Sequence, residues 1–207
     1  MVYVGTKTKI TGWEVKNDDE RLTLIRNLVF ESIKDPIVIW TARAIVSECE
    51  SRDEKCEIEK IYYAVKEGPI PVPVDGGKEI VYVDGLRFVE DVLALDTYPT
   101  AGKILRWMAQ GANGEDCDGH TILVASLLMA IGYLTGAGIV SQDGSNYVHI
   151  FPLVGIPKTN PQVWLPLDTT VAEAYPGWFP KRGSKYKIKA MKVYAFADGK
   201  MKGRKVI

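Results

Sequence analysis

Gly114-Glu115-Asp116-Cys117-Asp118-Gly119-His120 runs into Thr121-Ile122-Leu123-Val124-Ala125-Ser126-Leu127-Leu128-Met129-Ala130-Ile131-Gly132. A polar, glycine-flanked entry followed by an apolar run predicts a buried helix with Cys117 at its start. Backbone N–H groups without intrahelical partners gather at a helix N-terminus, and the helix dipole favours negative charge there. A thiol at such a point is a candidate nucleophile, because the thiolate is the reactive form. Asp116 and Asp118 suit the first turn but oppose a negative sulfur beside them.

Outward from this helix, the period of the apolar residues changes. Upstream it is helical. Asn17-Asp18-Asp19-Glu20 opens a helix carrying Leu22, Ile25, Leu28, Val29 and Ile33. Asp35-Pro36 breaks the chain and starts a second helix, Ile37 to Cys49, with Ile37, Trp40, Ala44 and Ile45 along one side. A third carries Ile58, Ile61, Tyr62 and Val65, and a fourth spans Ala101–Gln110. Between them, Gly68-Pro69-Ile70-Pro71-Val72-Pro73 cannot be helical. Residues 74–90 read as a short hairpin with turn signals at Asp75-Gly76-Gly77 and Asp84-Gly85.

Downstream the pattern alternates. Gly138–Ser141 and Tyr147–Val154 flank Gln142-Asp143-Gly144-Ser145-Asn146, which predicts a hairpin. Gln162–Asp168 reads as a third strand. Tyr186, Ile188 and Ala190, alternating with lysines, read as a fourth, and Asp198-Gly199 as the turn of a terminal hairpin. Helices, one central buried helix and then antiparallel strands describe an α+β fold. Three segments are expected: an extended arm at 1–17, a core at 18–180 and a basic extension at 181–207.

Composition sets limits. The chain has 207 residues, enough for one domain with a substantial core. The longest apolar run falls short of the about 18 residues of a membrane span. The N-terminus lacks a signal-peptide pattern, so an intracellular, cytoplasmic setting is expected. In a reducing compartment Cys49 and Cys56 are expected as two free thiols, and they lack the spacing of a zinc site. No metal and no cofactor is expected. Net charge is zero, yet residues 181–207 hold ten Lys or Arg against Asp198, leaving +9 there and −9 elsewhere. A basic tail suits an acidic partner surface. No aromatic-rich motif for nucleic acid accompanies it.

A cysteine nucleophile needs a base and usually a group that orients the base. The chain has two histidines. His149 lies in the second strand after the cysteine helix, and Asp168 ends the next one, in Trp164-Leu165-Pro166-Leu167-Asp168-Thr169-Thr170. Adjacent antiparallel strands bring His149 and Asp168 side by side. His120, three residues past Cys117, is a rival base. Candidate oxyanion donors are the Cys117 N–H, the Gln110 side chain and, more weakly, Trp107. Trp164 is expected to wall the groove.

The Cys117 block, Val148-His149 and the Trp164–Thr170 block, in this order over residues 100–170, resemble the transglutaminase-like superfamily. The Asp-Cys-Asp context is most similar to its phage and bacterial cysteine protease branch. The resemblance implies a papain-like fold and a thiol triad of Cys117, His149 and Asp168. It implies a hydrolase cleaving amide bonds, a peptidase or amidase before a cross-linking enzyme, with a protein or peptide substrate. A phage virion or assembly protein using the fold as a binding module is the alternative. The arm and the basic tail would then meet its partners.

Overall fold

The structure is a computed structural model that describes residues 17–90, 98–179, 186–196 and the backbone of 203–204. Residues 1–16 of the expected arm at 1–17, the basic residues 181–185 and the Asp198-Gly199 turn lie outside the described residues.

The fold class is α+β. Helices α1 (Asp18–Ser32), α2 (Pro36–Ile45) and α3 (Glu54–Glu67) come first. Strands β1 (Ile70–Val74), β2 (Glu79–Val83) and β3 (Arg87–Phe88) precede α4 (Ala101–Ala109). Strand β4 (Gly114–Glu115) leads directly into α5 (Cys117–Ala130). Then follow β5 (Thr135–Ser141), β6 (Tyr147–Ile156), β7 (Val163–Pro166), β8 (Ala190–Ala195) and β9 (Gly203–Arg204).

Each of these α-helices starts on a residue whose side chain accepts a backbone N–H of the first turn. The caps are Asn17, Asp35, Asp53, Thr100 and Asp116. Such a cap is worth about 1 kcal/mol, so the helix starts are written locally. Packing decides the rest. Helix α5 is buried without interruption from Asp118 to Leu128. It lies among the N-terminal helices and against β5 and β6, so it has no solvent face to leave polar.

The principal sheet has the order β7-β6-β5-β8-β9, with every neighbouring pair antiparallel. Ala137, Ile139, Ile150, Val154, Tyr194 and Phe196 belong to the same core as α5. Val140, Phe151, Leu153 and Val193 form a second, smaller cluster.

Several expectations are corrected here. Helix α2 ends at Ile45, and its buried face is Ile37, Val38, Thr41, Ala42 and Ile45, leaving Trp40 exposed. The early hairpin pairs Ile70–Val74 with Glu79–Val83 around Asp75–Gly77. Asp84-Gly85 is not a second hairpin turn. A Cβ at Gly85 would sit 2.7 Å from the Lys66 carbonyl carbon, so only glycine lets the chain pass the end of α3 this closely. The chain then forms β3, parallel to β4. The fourth long strand starts at Ala190, since Lys187 has φ 48 and breaks the alternation.

Strand β8, beyond the boundary drawn at 180, lies beside β5 near the middle of the sheet. Cys49 and Cys56 are joined in a disulfide rather than free. They flank the turn between α2 and α3, which brings their Cα atoms to 5.7 Å, inside the range a disulfide spans. No helix among the described residues is long and apolar enough to cross a membrane.

Candidate active site

Cys117 is the first residue of α5 and half-buried. Its entry is fixed twice. The β3–β4 pair holds the preceding backbone, with Arg87 N–H donating to Asn113 O at 2.7 Å and Val89 N–H to Glu115 O at 3.0 Å. The Asp116 carboxylate then accepts from the N–H groups of Asp118 and Gly119, each at 2.9 Å. That cap engages the second and third residues of the helix and does not include the Cys117 N–H. Gly119 lies where a Cβ would meet the Glu115 Cβ at 2.8 Å, so the glycine lets Glu115 close over the helix start.

Asp118 is not a solvated first-turn acid. Its carboxylate is buried and forms an ion pair with Arg21 of α1. The Arg21 Nε donates to Oδ2 at 3.1 Å, and a terminal guanidinium nitrogen donates to the same oxygen. Burial disfavours the Arg21 charge, but Asp118 outweighs it, and the guanidinium also feels the Cys117 sulfur. The opposition expected from Asp118 to a negative sulfur is therefore offset by a cation that no sequence spacing revealed.

His149 and Asp168 meet as expected. The His149 Nε2 lies 2.7 Å from Asp168 Oδ2. The β6–β7 register puts Leu153 opposite Pro166, and the Leu167 N–H donates to Pro152 O at 2.9 Å beyond it. Asp168 thus follows the strand's last pairing, diagonal to His149, within side-chain reach. Its other oxygen accepts from the Thr170 N–H at 3.0 Å and the Thr170 hydroxyl at 2.7 Å.

These contacts set the charges. Burial disfavours the His149 imidazolium, but Asp168 and the Cys117 sulfur outweigh it and raise the ring to about 10. Burial disfavours the Asp168 carboxylate, but His149 and Thr170 hold its pKa below the ordinary value. With Asp168 on Nε2, Nδ1 is the ring nitrogen that Asp168 does not engage.

His120 is 1% exposed, and its Nδ1 lies 2.8 Å from the Thr169 hydroxyl. Burial pushes its pKa down to about 4. A buried neutral ring already engaged by Thr169 corrects the reading of His120 as a rival base.

Gln110 is the exposed C-terminal cap of α4. It lines a cleft of about 660 Å³ with Asp35, Trp40, Pro73 and Gly76. None of Cys117, His149 and Asp168 lines that cleft. Trp107 is engaged by Lys103, whose Nζ lies 4.6 Å from the ring centre. Trp164 packs against the Val140, Phe151, Leu153 and Val193 cluster. An aromatic ring beside His149 is that of Phe151, at 6.2 Å between centres.

Two further residues hold the Asp168 segment. The Tyr62 hydroxyl donates to the Asp168 carbonyl at 2.9 Å. Lys66, one helical turn along α3, donates to the Tyr62 hydroxyl at 3.2 Å, to the Ala172 carbonyl at 3.0 Å and to the Ala174 carbonyl. Tyr62 read from sequence as core only. Its hydroxyl, buried and in need of a partner, was the signal for a longer-range contact.

Among the described residues, no group of three or more His, Cys, Asp or Glu could hold a metal ion. No protein-family model matches the chain, and no curated protein matches it.

Proposed function

We propose that this chain is a cysteine-dependent acyl-transfer enzyme acting on amide bonds, a peptidase or amidase, through Cys117, His149 and Asp168. The observation that carries the reading is the 2.7 Å contact between His149 Nε2 and Asp168 Oδ2, with the Cys117 sulfur acting on the same ring. The transglutaminase-like resemblance of the three sequence blocks supports it.

In this reading Asp168 orients His149 and stabilises its imidazolium. With the proton already on the His149 imidazolium, the Cys117 thiolate attacks the amide carbonyl carbon and the carbonyl oxygen takes up the electron pair. The Cys117 N–H at the helix start stabilises the oxyanion. The tetrahedral adduct collapses, the C–N bond breaks, and His149 gives the proton to the departing amine. Water, activated by His149, then cleaves the thioester and restores the thiolate.

A library of internally quenched fluorescent peptides tests the proposal. Wild type should cleave a subset, and Cys117→Ala and His149→Ala should each abolish cleavage. Intact-mass analysis of Cys117 during turnover should show an acyl adduct. Cleavage that survives Cys117→Ala would overturn the reading.

A further inference from the structure

Asp168, Thr169 and Thr170 are consecutive, and their side chains make three different contacts. Asp168 reaches His149, Thr170 caps Asp168, and Thr169 reaches His120. His120 is on α5, three residues after Cys117, so it shares the helix that carries the nucleophile. The His120–Thr169 contact is therefore a direct brace between that helix and the segment carrying the orienting acid. Both ends are buried, with His120 at 1% exposure and Thr169 at 6%. A hydrogen bond in such a place is costly to break, because the partner left behind cannot turn to water.

We infer that His120 is a positioning residue that holds Thr169 and thereby aims the Asp168 carboxylate at His149. The inference rests on the triad reading of Cys117, His149 and Asp168, but its test does not require turnover. Thr169 lies between Asp168 and Thr170, whose N–H and hydroxyl cap the Asp168 carboxylate. A shift of the Thr169 side chain moves the peptide that Thr170 uses to cap Asp168 Oδ1. The groups that act on His149 are Asp168 and Cys117, and those that act on His120 are Asp168, His149 and the Arg87 backbone.

The chain has two histidines, so any His120 variant leaves His149 as the single imidazole. Its ring protons can then be followed by NMR against pH without ambiguity, using His149→Gln to assign the wild type. Thr169→Val removes the hydroxyl with little change of shape. His120→Phe removes both ring nitrogens, and His120→Asn keeps a hydrogen-bonding group near the position of Nδ1. His149 should titrate about 1 to 3 pH units lower in Thr169→Val and His120→Phe, the size of an opposite charge lost at close range. The His120→Asn variant should recover most of the shift. A core role without aim would lower stability and leave the His149 titration where it is.

If His120→Phe does not fold, Thr169→Val still decides. Folded Thr169→Val with an unaltered His149 titration would overturn the inference, even if the peptide assay shows full activity. An inactive wild type that shows these shifts would overturn the enzymatic reading and leave the brace intact.

Discussion

Arg21 and Asp118, 97 residues apart in the chain, form an ion pair that fastens α1 to the first turn of the cysteine helix. The Asp118 side chain is fully buried and that of Arg21 is 27% exposed. The pair neutralises a carboxylate one residue from Cys117 and places a guanidinium where it also feels the sulfur.

Arg21→Met should therefore cost about 3 to 5 kcal/mol, the penalty for stranding a buried charge. Adding Asp118→Asn to that variant should recover part of the loss. Urea unfolding followed by circular dichroism measures both.

Burial of His149 is outweighed by Asp168 and Cys117, so its folded pKa lies above the ordinary value of about 6.5. Its stabilisation is complete below about pH 6.5 and is lost as pH rises through about 10. Asp168 is shifted the other way, so its contribution is complete above about pH 3.9 and fades as pH falls through its lower folded value. Asp168→Asn should flatten both limbs of the stability curve and move the His149 titration down toward 6.5. Unfolding free energies across this pH range, with NMR of the imidazole, check the two together.

Tyr62→Phe removes the donor to the Asp168 carbonyl and the acceptor for Lys66. A loss of about 1 to 3 kcal/mol is expected, since the carbonyl is left buried without that partner. Proteolysis within residues 168–174 should increase, because Lys66 holds the same segment. Limited digestion with mass mapping measures this.

Gly119→Ala should disturb the helix start despite alanine's better helix propensity. Its Cβ would meet the Glu115 Cβ at 2.8 Å, a contact that no side-chain rotation relieves. A destabilisation of about 1 to 3 kcal/mol is expected from such overpacking. Thermal unfolding compares the variant with wild type.

The parts legible in the sequence were those written within a few residues. Asp116 before Cys117 announced a capped helix start, and alternation around His149 and before Asp168 announced neighbouring strands. What escaped depended on distant packing. Helix α2 is apolar on nearly every side, so periodicity could not separate buried Val38 from exposed Trp40. Gln110 is seven residues before Cys117, but α4 ends there and the chain turns at Gly111, with φ 90. Alternation at Tyr186–Ala190 imitated a strand that Lys187 interrupts. Arg21, Thr169 and Lys66 became site residues only through contacts across the fold. The proximity of Cys49 and Cys56 depends on how two helices meet, which neither cysteine's neighbours encode.

Because Cys49 and Cys56 are paired, Cys117 is the one free thiol of the three cysteines, which makes alkylation specific to it. The direct test is the rate of iodoacetamide reaction at Cys117 between pH 5 and 9, in wild type and His149→Ala, under non-reducing conditions. At pH 6 wild type should react at least about tenfold faster than an unperturbed thiol, and His149→Ala should fall to the unperturbed rate. Equal rates and the same pH profile in both proteins would contradict a Cys117 nucleophile activated by His149.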